Sequence, residues 1–128
     1  MPWINTAPVF LLFCGDSHRI QTVCEMHNTS FAHDPLDAFF NTATDTAMVL
    51  QNFIIAAEAA GLGCCPISAV REFTEQVAKF CQMPDGVYPL AGLCLGYPEG
   101  TSDINVRLPM SASLHKNKYK EKNLRASI

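Results

Sequence analysis

The sequence predicts a domain that combines helices with a sheet, of the α/β or α+β class, on three observations. Apolar segments of strand length occur at 7–14, 62–67 and 87–97, each bounded by glycine, proline or acidic residues. Residues 37–60 contain neither glycine nor proline and end at Gly61, where a helix is expected to stop. The resulting order of strand, long helix, strand, helix, strand packs helices against a sheet.

Taken in order, Ala7 to Cys14 is a continuous apolar run closed by Gly15 and Asp16, which predicts a strand buried on both faces. His18 to Met26 has mixed character and predicts a helical turn or two. Asn28 to Pro35 is polar, ends in Asp34-Pro35 and predicts a loop. The helix expected over 37–60 is apolar nearly all round in its second half, so it is expected to be covered on most sides. Leu62 to Ile67 contains Pro66, which limits it to an edge strand. From Val70 to Cys81 helical spacing puts Phe73, Val77, Phe80 and Cys81 on one stripe, with Arg71, Glu72, Glu75 and Lys79 off it. A turn at 83–86 leads into Val87 to Tyr97, expected as the central strand; loop follows to Val106, then an irregular segment from Arg107.

Composition bounds the function. With 128 residues, 48% hydrophobic and 16% charged, the chain is sized for one core and fails the compositional test for disorder. No apolar run approaches the roughly 18 to 20 residues that span a bilayer, and Met1 to Thr6 lacks the pattern of a secretory signal, so the expected compartment is the cytoplasm. The Asn28-Thr29-Ser30 sequon carries no weight in that compartment. Lys116, Lys118, Lys120, Lys122 and Arg125 face one acid, Glu121, which leaves the first 115 residues with 4 basic and 11 acidic groups, a charge of -7. An acidic body with a solvated basic tail and no interleaved aromatic platform argues against nucleic acid as a partner.

The six cysteines sit inside apolar runs, which predicts core thiols rather than a disulfide framework. Cys64 and Cys65 lack the spacer that lets two thiolates converge on zinc, and His18, His27, His33 and His115 do not cluster, so no metal site is expected. Adjacent cysteines on a strand point to opposite faces. A thiol-redox or metal module built on this pair is a minor alternative reading.

No G-x-S-x-G elbow, Walker loop or G-x-G-x-x-G fingerprint is present, and Ser17 beside His18 forms no triad by adjacency. The informative residues are three pieces in order: Ala57-Glu58-Ala59-Ala60-Gly61-Leu62-Gly63-Cys64-Cys65-Pro66-Ile67-Ser68; Pro89-Leu90-Ala91-Gly92-Leu93-Cys94-Leu95-Gly96-Tyr97-Pro98; and Arg107-Leu108-Pro109 with His115, Asn117 and Tyr119. Asp45-Thr46-Ala47, Gln51-Asn52 and the Ala7-Pro8-Val9-Phe10 strand fit the same order. Together they resemble the nitroreductase superfamily, in its NADPH-dependent nitroreductase and flavin reductase branch, from about Ile4 to Tyr119.

The resemblance implies an α+β, three-layer fold with a mainly antiparallel central sheet flanked by helices, incomplete relative to the family. It divides the chain into a partial domain, 1–119, and a basic tail, 120–128. It further implies FMN held noncovalently at a homodimer interface, with NAD(P)H as cosubstrate and nitroaromatics, quinones or free flavin as acceptors. The flavin carries the redox chemistry and no side chain is needed as a catalytic nucleophile. By the same resemblance, Pro66, Ile67, Ser68 and Ala69 pass alongside the isoalloxazine ring, and a backbone N–H of Ile67, Ser68 or Ala69 faces its reactive edge. Arg107 matches the arginine that pairs with the FMN phosphate, a role its multi-donor fork suits.

Three features depart from the family pattern. Ser68 and Ala69 stand where glycines are favoured, Asn105 replaces a frequent lysine, and nothing before Trp3 supplies the N-terminal phosphate-gripping motif. The family also continues past the position of Tyr119 into a helical extension. These departures motivate a second reading, a noncatalytic remnant that keeps the fold and dimer face but holds FMN weakly or not at all.

Overall fold

The computed structural model describes residues 2–32, 34–100 and 104–121, so His33 and the Lys122 and Arg125 of the basic tail lie outside the described residues. The chain divides into two compact units, residues 1–98 and 99–128.

The first unit holds a 3-10 turn at Pro2–Asn5, then β1 (Val9–Asp16), α1 (His18–Met26), α2 (Pro35–Ala59), β2 (Gly63–Ile67), a 3-10 turn at Ala69–Arg71, α3 (Thr74–Phe80) and β3 (Val87–Gly96). The strands form one antiparallel sheet in the order β1-β3-β2. β3 is central, as its apolar run predicted. β2 is an edge strand, where the missing N–H of Pro66 interrupts no ladder.

Side-chain alternation divides the sheet's two faces. Phe13 packs edge-on against Phe53 of α2, with ring centroids 5.8 Å apart. Phe10 and Leu12, of opposite parity, turn toward Val70 and Val77 of the 3-10 turn and α3. The unit is therefore α2, sheet, and turn with α3: three layers of an α+β fold. Its core is small and centres on Ala57, Ile67, Val70, Ala91, Leu93 and Cys94.

Both ends of α2 have identifiable causes. Asp34 caps the start, its carboxylate accepting the Leu36 amide at 2.8 Å, and Pro35 occupies the first turn, where its missing N–H is no loss. Asp34-Pro35 thus opens the helix instead of closing a loop, and the helix begins two residues before its expected start. At the other end Gly61 takes φ +82°, and Leu62 N–H reaches the Ala57 carbonyl (3.0 Å) while Gly61 N–H reaches Glu58 (3.0 Å), a Schellman stop.

Three expectations need correction. β1 is an edge strand of this sheet, and its outer residues Val9 and Phe10 are exposed rather than buried on both faces. α2 buries only Ala57, leaving Phe39, Phe40, Met48, Val49 and Ile55 exposed, because the sheet covers one side and nothing described in the unit covers the rest. The helix expected over 70–81 is split: Phe73 leaves helical geometry (φ -120°, ψ 32°), and α3 restarts at Thr74. Of the expected stripe, Val77 still faces Phe10 and Leu12 of the sheet and is half-buried, while Phe80 is 88% exposed.

Tyr88 ties β3 to α2. Its hydroxyl donates to the Phe39 carbonyl at 3.0 Å and meets Thr42 Oγ1 at 2.8 Å, while its ring stacks on Phe39 at 5.1 Å. Any Cβ at Gly15 would overlap this pinned ring. Gly15→Ala is therefore expected to lower stability by about 1–3 kcal/mol, the range of overpacking in a site that cannot relax. A denaturant titration with an unchanged midpoint would show that the ring moves freely.

The second unit contains α4 (Met110–Ser113), one turn long, entered through Pro109. After it, the His115 and Tyr119 rings lie 4.5 Å apart and the Lys120 amide donates to His115 Nδ1 at 3.3 Å.

Candidate functional site

The turn after β2 is built on two buried anchors. Ile67 ends the strand opposite Gly92, and Val70 sits under the sheet. Between them Ser68 is exposed and Ala69 half-buried. The Ser68 and Ala69 carbonyls accept from Arg71 and Glu72 N–H at 3.1 and 3.0 Å, so the turn uses these residues as acceptors, and their own N–H groups donate in none of the turn's described bonds. Ser68 takes φ -83°, and neither it nor Ala69 has positive φ. Nothing in the backbone here demands glycine; what the two side chains limit is how closely a flat ligand approaches.

Arg71 is the functional candidate that the sequence reading passed over as an off-stripe charge. Its Nη1 donates to the Leu90 carbonyl at 2.8 Å, which holds the guanidinium at the rim of a groove of about 640 Å³. Ala47, Met48 and Gln51 of α2 and Leu90 and Ala91 of β3 line that groove. Only its position, at the end of the 3-10 turn, could have singled it out. Arg71 is a cation in an apolar cleft, the combination that orients a ligand with an anionic or carbonyl end.

The remaining sequence candidates lie in the second unit. Asn105 and Arg107 are both exposed, and Arg107 Nη1 donates to the Val106 carbonyl next to it at 3.3 Å. Arg107 has no acidic partner among the described ion pairs, whereas Arg19 is paired with Asp16 at 2.8 Å. Pro66, Ile67, Ser68 and Ala69 are thus brought together in one turn, and Asn105 and Arg107 in another segment.

The thiols are less uniformly buried than their sequence context suggested. Cys94 is buried, Cys14, Cys24, Cys64 and Cys65 are half-buried, and Cys81, just past the end of α3, is exposed; all six are free. Cys64 and Cys65 occupy successive strand positions, opposite Leu95 and Cys94. No group of three or more His, Cys, Asp or Glu side chains among the described residues is arranged to hold a metal ion. Nor is any helix among them long and apolar enough to cross a membrane.

Burial raises the Cys94 thiol above its ordinary value of 9.0, and the neighbouring Cys65 adds to the shift. Burial also raises Cys14, with Cys81 and Asp16 contributing, and Cys64, with Glu58 contributing. The fold therefore favours the neutral thiols. That stability is fully present below the unfolded-state value and is lost as pH rises through the higher folded-state values. The unfolding midpoint is expected to fall above about pH 9, and a midpoint that stays flat there would contradict this assignment.

An antiparallel sheet layered between a long helix and a turn-plus-helix segment, with an anchored turn at the end of its edge strand, defines an α+β domain of the three-layer type. Comparison with known proteins names the type. The family model described as the nitroreductase family matches residues 1–97, and the chain belongs to that family. The FMN reductase [NAD(P)H] of Bacillus subtilis is 38% identical over 92% of this chain and 48% of its own length. The oxygen-insensitive NADPH nitroreductase of Salmonella typhimurium is 37% identical over 91% of this chain and 47% of its own. Among solved structures, NfrA2 of B. megaterium superposes with a TM-score of 0.91 at 33% identity, over 98% of this chain and 51% of that one. The chain spans about half the length of the curated relatives it matches.

Proposed function

We propose that this chain forms part of an FMN-dependent NAD(P)H oxidoreductase that reduces nitroaromatics, quinones or free flavin. The observation that carries the reading is the 38% identity to an FMN reductase [NAD(P)H] across nearly the whole chain. The donor set fits the cofactor. A flavin needs backbone N–H donors at its ring edge and a fixed cation at its phosphate. Ser68 and Ala69 offer such amides, and Arg107 offers an exposed guanidinium without a described acidic partner.

When bound, FMN would supply the two-electron chemistry, accepting hydride from NAD(P)H and passing the reducing equivalents to the acceptor. The chain's own part is binding and orientation. The segment Pro66 to Ala69 would hold the ring, with the Ser68 or Ala69 amide as donor to it. Arg107 would hold the phosphate, and Asn105 would add a neutral polar contact where a lysine would add charge. Apolar side chains exposed on α2, including Phe40, Met48 and Val49, supply the face on which a second copy packs in a homodimer. The cytoplasm is the compartment that suits the free thiols and the nicotinamide donor.

The second reading, a noncatalytic remnant, is favoured by Ser68 and Ala69, whose side chains hold a flat ligand further off than glycine would. NADPH oxidation by the purified protein, with FMN and a quinone present, separates the two. Enzyme-like turnover supports the oxidoreductase; protein that adds nothing to the rate of free FMN supports the remnant.

A further inference from the structure

β2 and β3 set two thiols face to face. The register pairs Cys65 with Cys94 directly across the antiparallel ladder, while alternation sends Cys64 to the other side of the sheet, opposite Leu95. Directly opposed residues in such a pair have Cα atoms about 4.5 or 5.5 Å apart, depending on the kind of pair. Both separations fall within the roughly 4.4–6.8 Å that a disulfide spans. In directly opposed pairs of this kind the Cβ atoms are typically about 4.5–5.5 Å apart, wider than the ~3.8 Å mean of a relaxed disulfide. A bond between them draws the strands together and carries strain, and strained disulfides are the readily reduced ones.

We propose that Cys65 and Cys94 form a reversible cross-strand disulfide, a redox-sensitive staple between β2 and β3. The two thiols have unequal access: Cys65 is half-buried on an edge strand beside exposed Pro66, and Cys94 is 5% exposed on the central strand. Cys65 therefore meets the oxidant first. With a low-molecular-weight disulfide such as glutathione disulfide as oxidant, the Cys65 thiolate attacks one sulfur, forming a mixed disulfide and releasing one glutathione thiolate. The Cys94 thiolate then attacks the Cys65 sulfur, the protein disulfide forms, and the second glutathione leaves. Two protein thiols lose two electrons and two protons, and one glutathione disulfide becomes two glutathione thiols. The bond sits one residue before Pro66, so it tethers the strand that carries the turn. It stands whether or not that turn binds a flavin.

The test uses the full chain equilibrated with mixtures of reduced and oxidised glutathione, then alkylated and mapped by mass spectrometry. The expected result is loss of two thiols per chain, a Cys65–Cys94 link, and its reversal by excess reduced glutathione. In Cys94→Ser a glutathione adduct is expected to accumulate at Cys65, and in Cys65→Ser Cys94 is expected to stay unmodified. Adducts without an internal link in the wild type would overturn the proposal. So would no loss of thiols, or a link joining Cys64 to Cys65 or Cys14 to Cys81 instead.

Discussion

Replacing Leu93 with alanine is expected to destabilise the first unit by about 2–5 kcal/mol, the range for emptying a closed apolar site. Leu93 has no exposed surface and lies at the middle of the central strand, with Leu11 opposite on β1 and Pro66 on β2. Strands on both sides enclose the side chain, so the void is not readily refilled. The core holds only a handful of buried side chains, so the loss is a large share of a total stability of order 5–15 kcal/mol. Because Pro66 is its cross-strand neighbour, the same substitution removes support beneath the candidate turn. The measurement is a denaturant midpoint with the slope held constant; a loss below about 1 kcal/mol would mean that the site collapses and that Leu93 is not the keystone of the sheet.

Arg107→Ala is expected to weaken FMN binding by about ten- to a hundredfold, with little change in stability. The magnitude follows from the roughly 1.5–3 kcal/mol of a hydrogen bond to a charged group, converted at about 1.4 kcal/mol per factor of ten. Stability is spared because the Arg107 side chain is exposed and, among the described residues, bonds to the neighbouring Val106 carbonyl alone. Arg107→Lys is expected to recover part of the affinity, since lysine keeps the charge but not the planar fork. Fluorescence titration of FMN reads all three proteins. Equal affinity in wild type and alanine variant would show that the phosphate lies elsewhere.

Much of the fold was legible because local chemistry decided it. Gly61 stopped α2 through a positive φ available to glycine at little cost, and Pro66 confined β2 to an edge. The long apolar run at 87–97 became the strand with neighbours on both sides. Burial was less legible. The apolarity of 47–57 implied cover on most sides, but periodicity reports what a face can bury and not whether a neighbour lies against it. The stripe through Phe73, Val77 and Phe80 assumed one continuous helix, but Phe73 leaves helical geometry, and of the three only Val77 is half-buried.

The site divides in the same way. That Pro66 to Ala69 falls at the end of a strand was legible, because the apolar run stops at Ile67 before polar Ser68. The service of Arg71 to the Leu90 carbonyl was not, since it depends on two elements nineteen positions apart meeting across the fold. The Cys65–Cys94 pairing was likewise set by strand register, which no spacing in the chain encodes.

The central claim, that this chain holds a flavin, is tested most directly by the visible absorption spectrum of the purified protein after equilibration with FMN and removal of the excess. The expected result is a retained flavin band that NADPH bleaches in the absence of oxygen. A colourless protein would contradict it and leave the noncatalytic remnant as the reading of this fold.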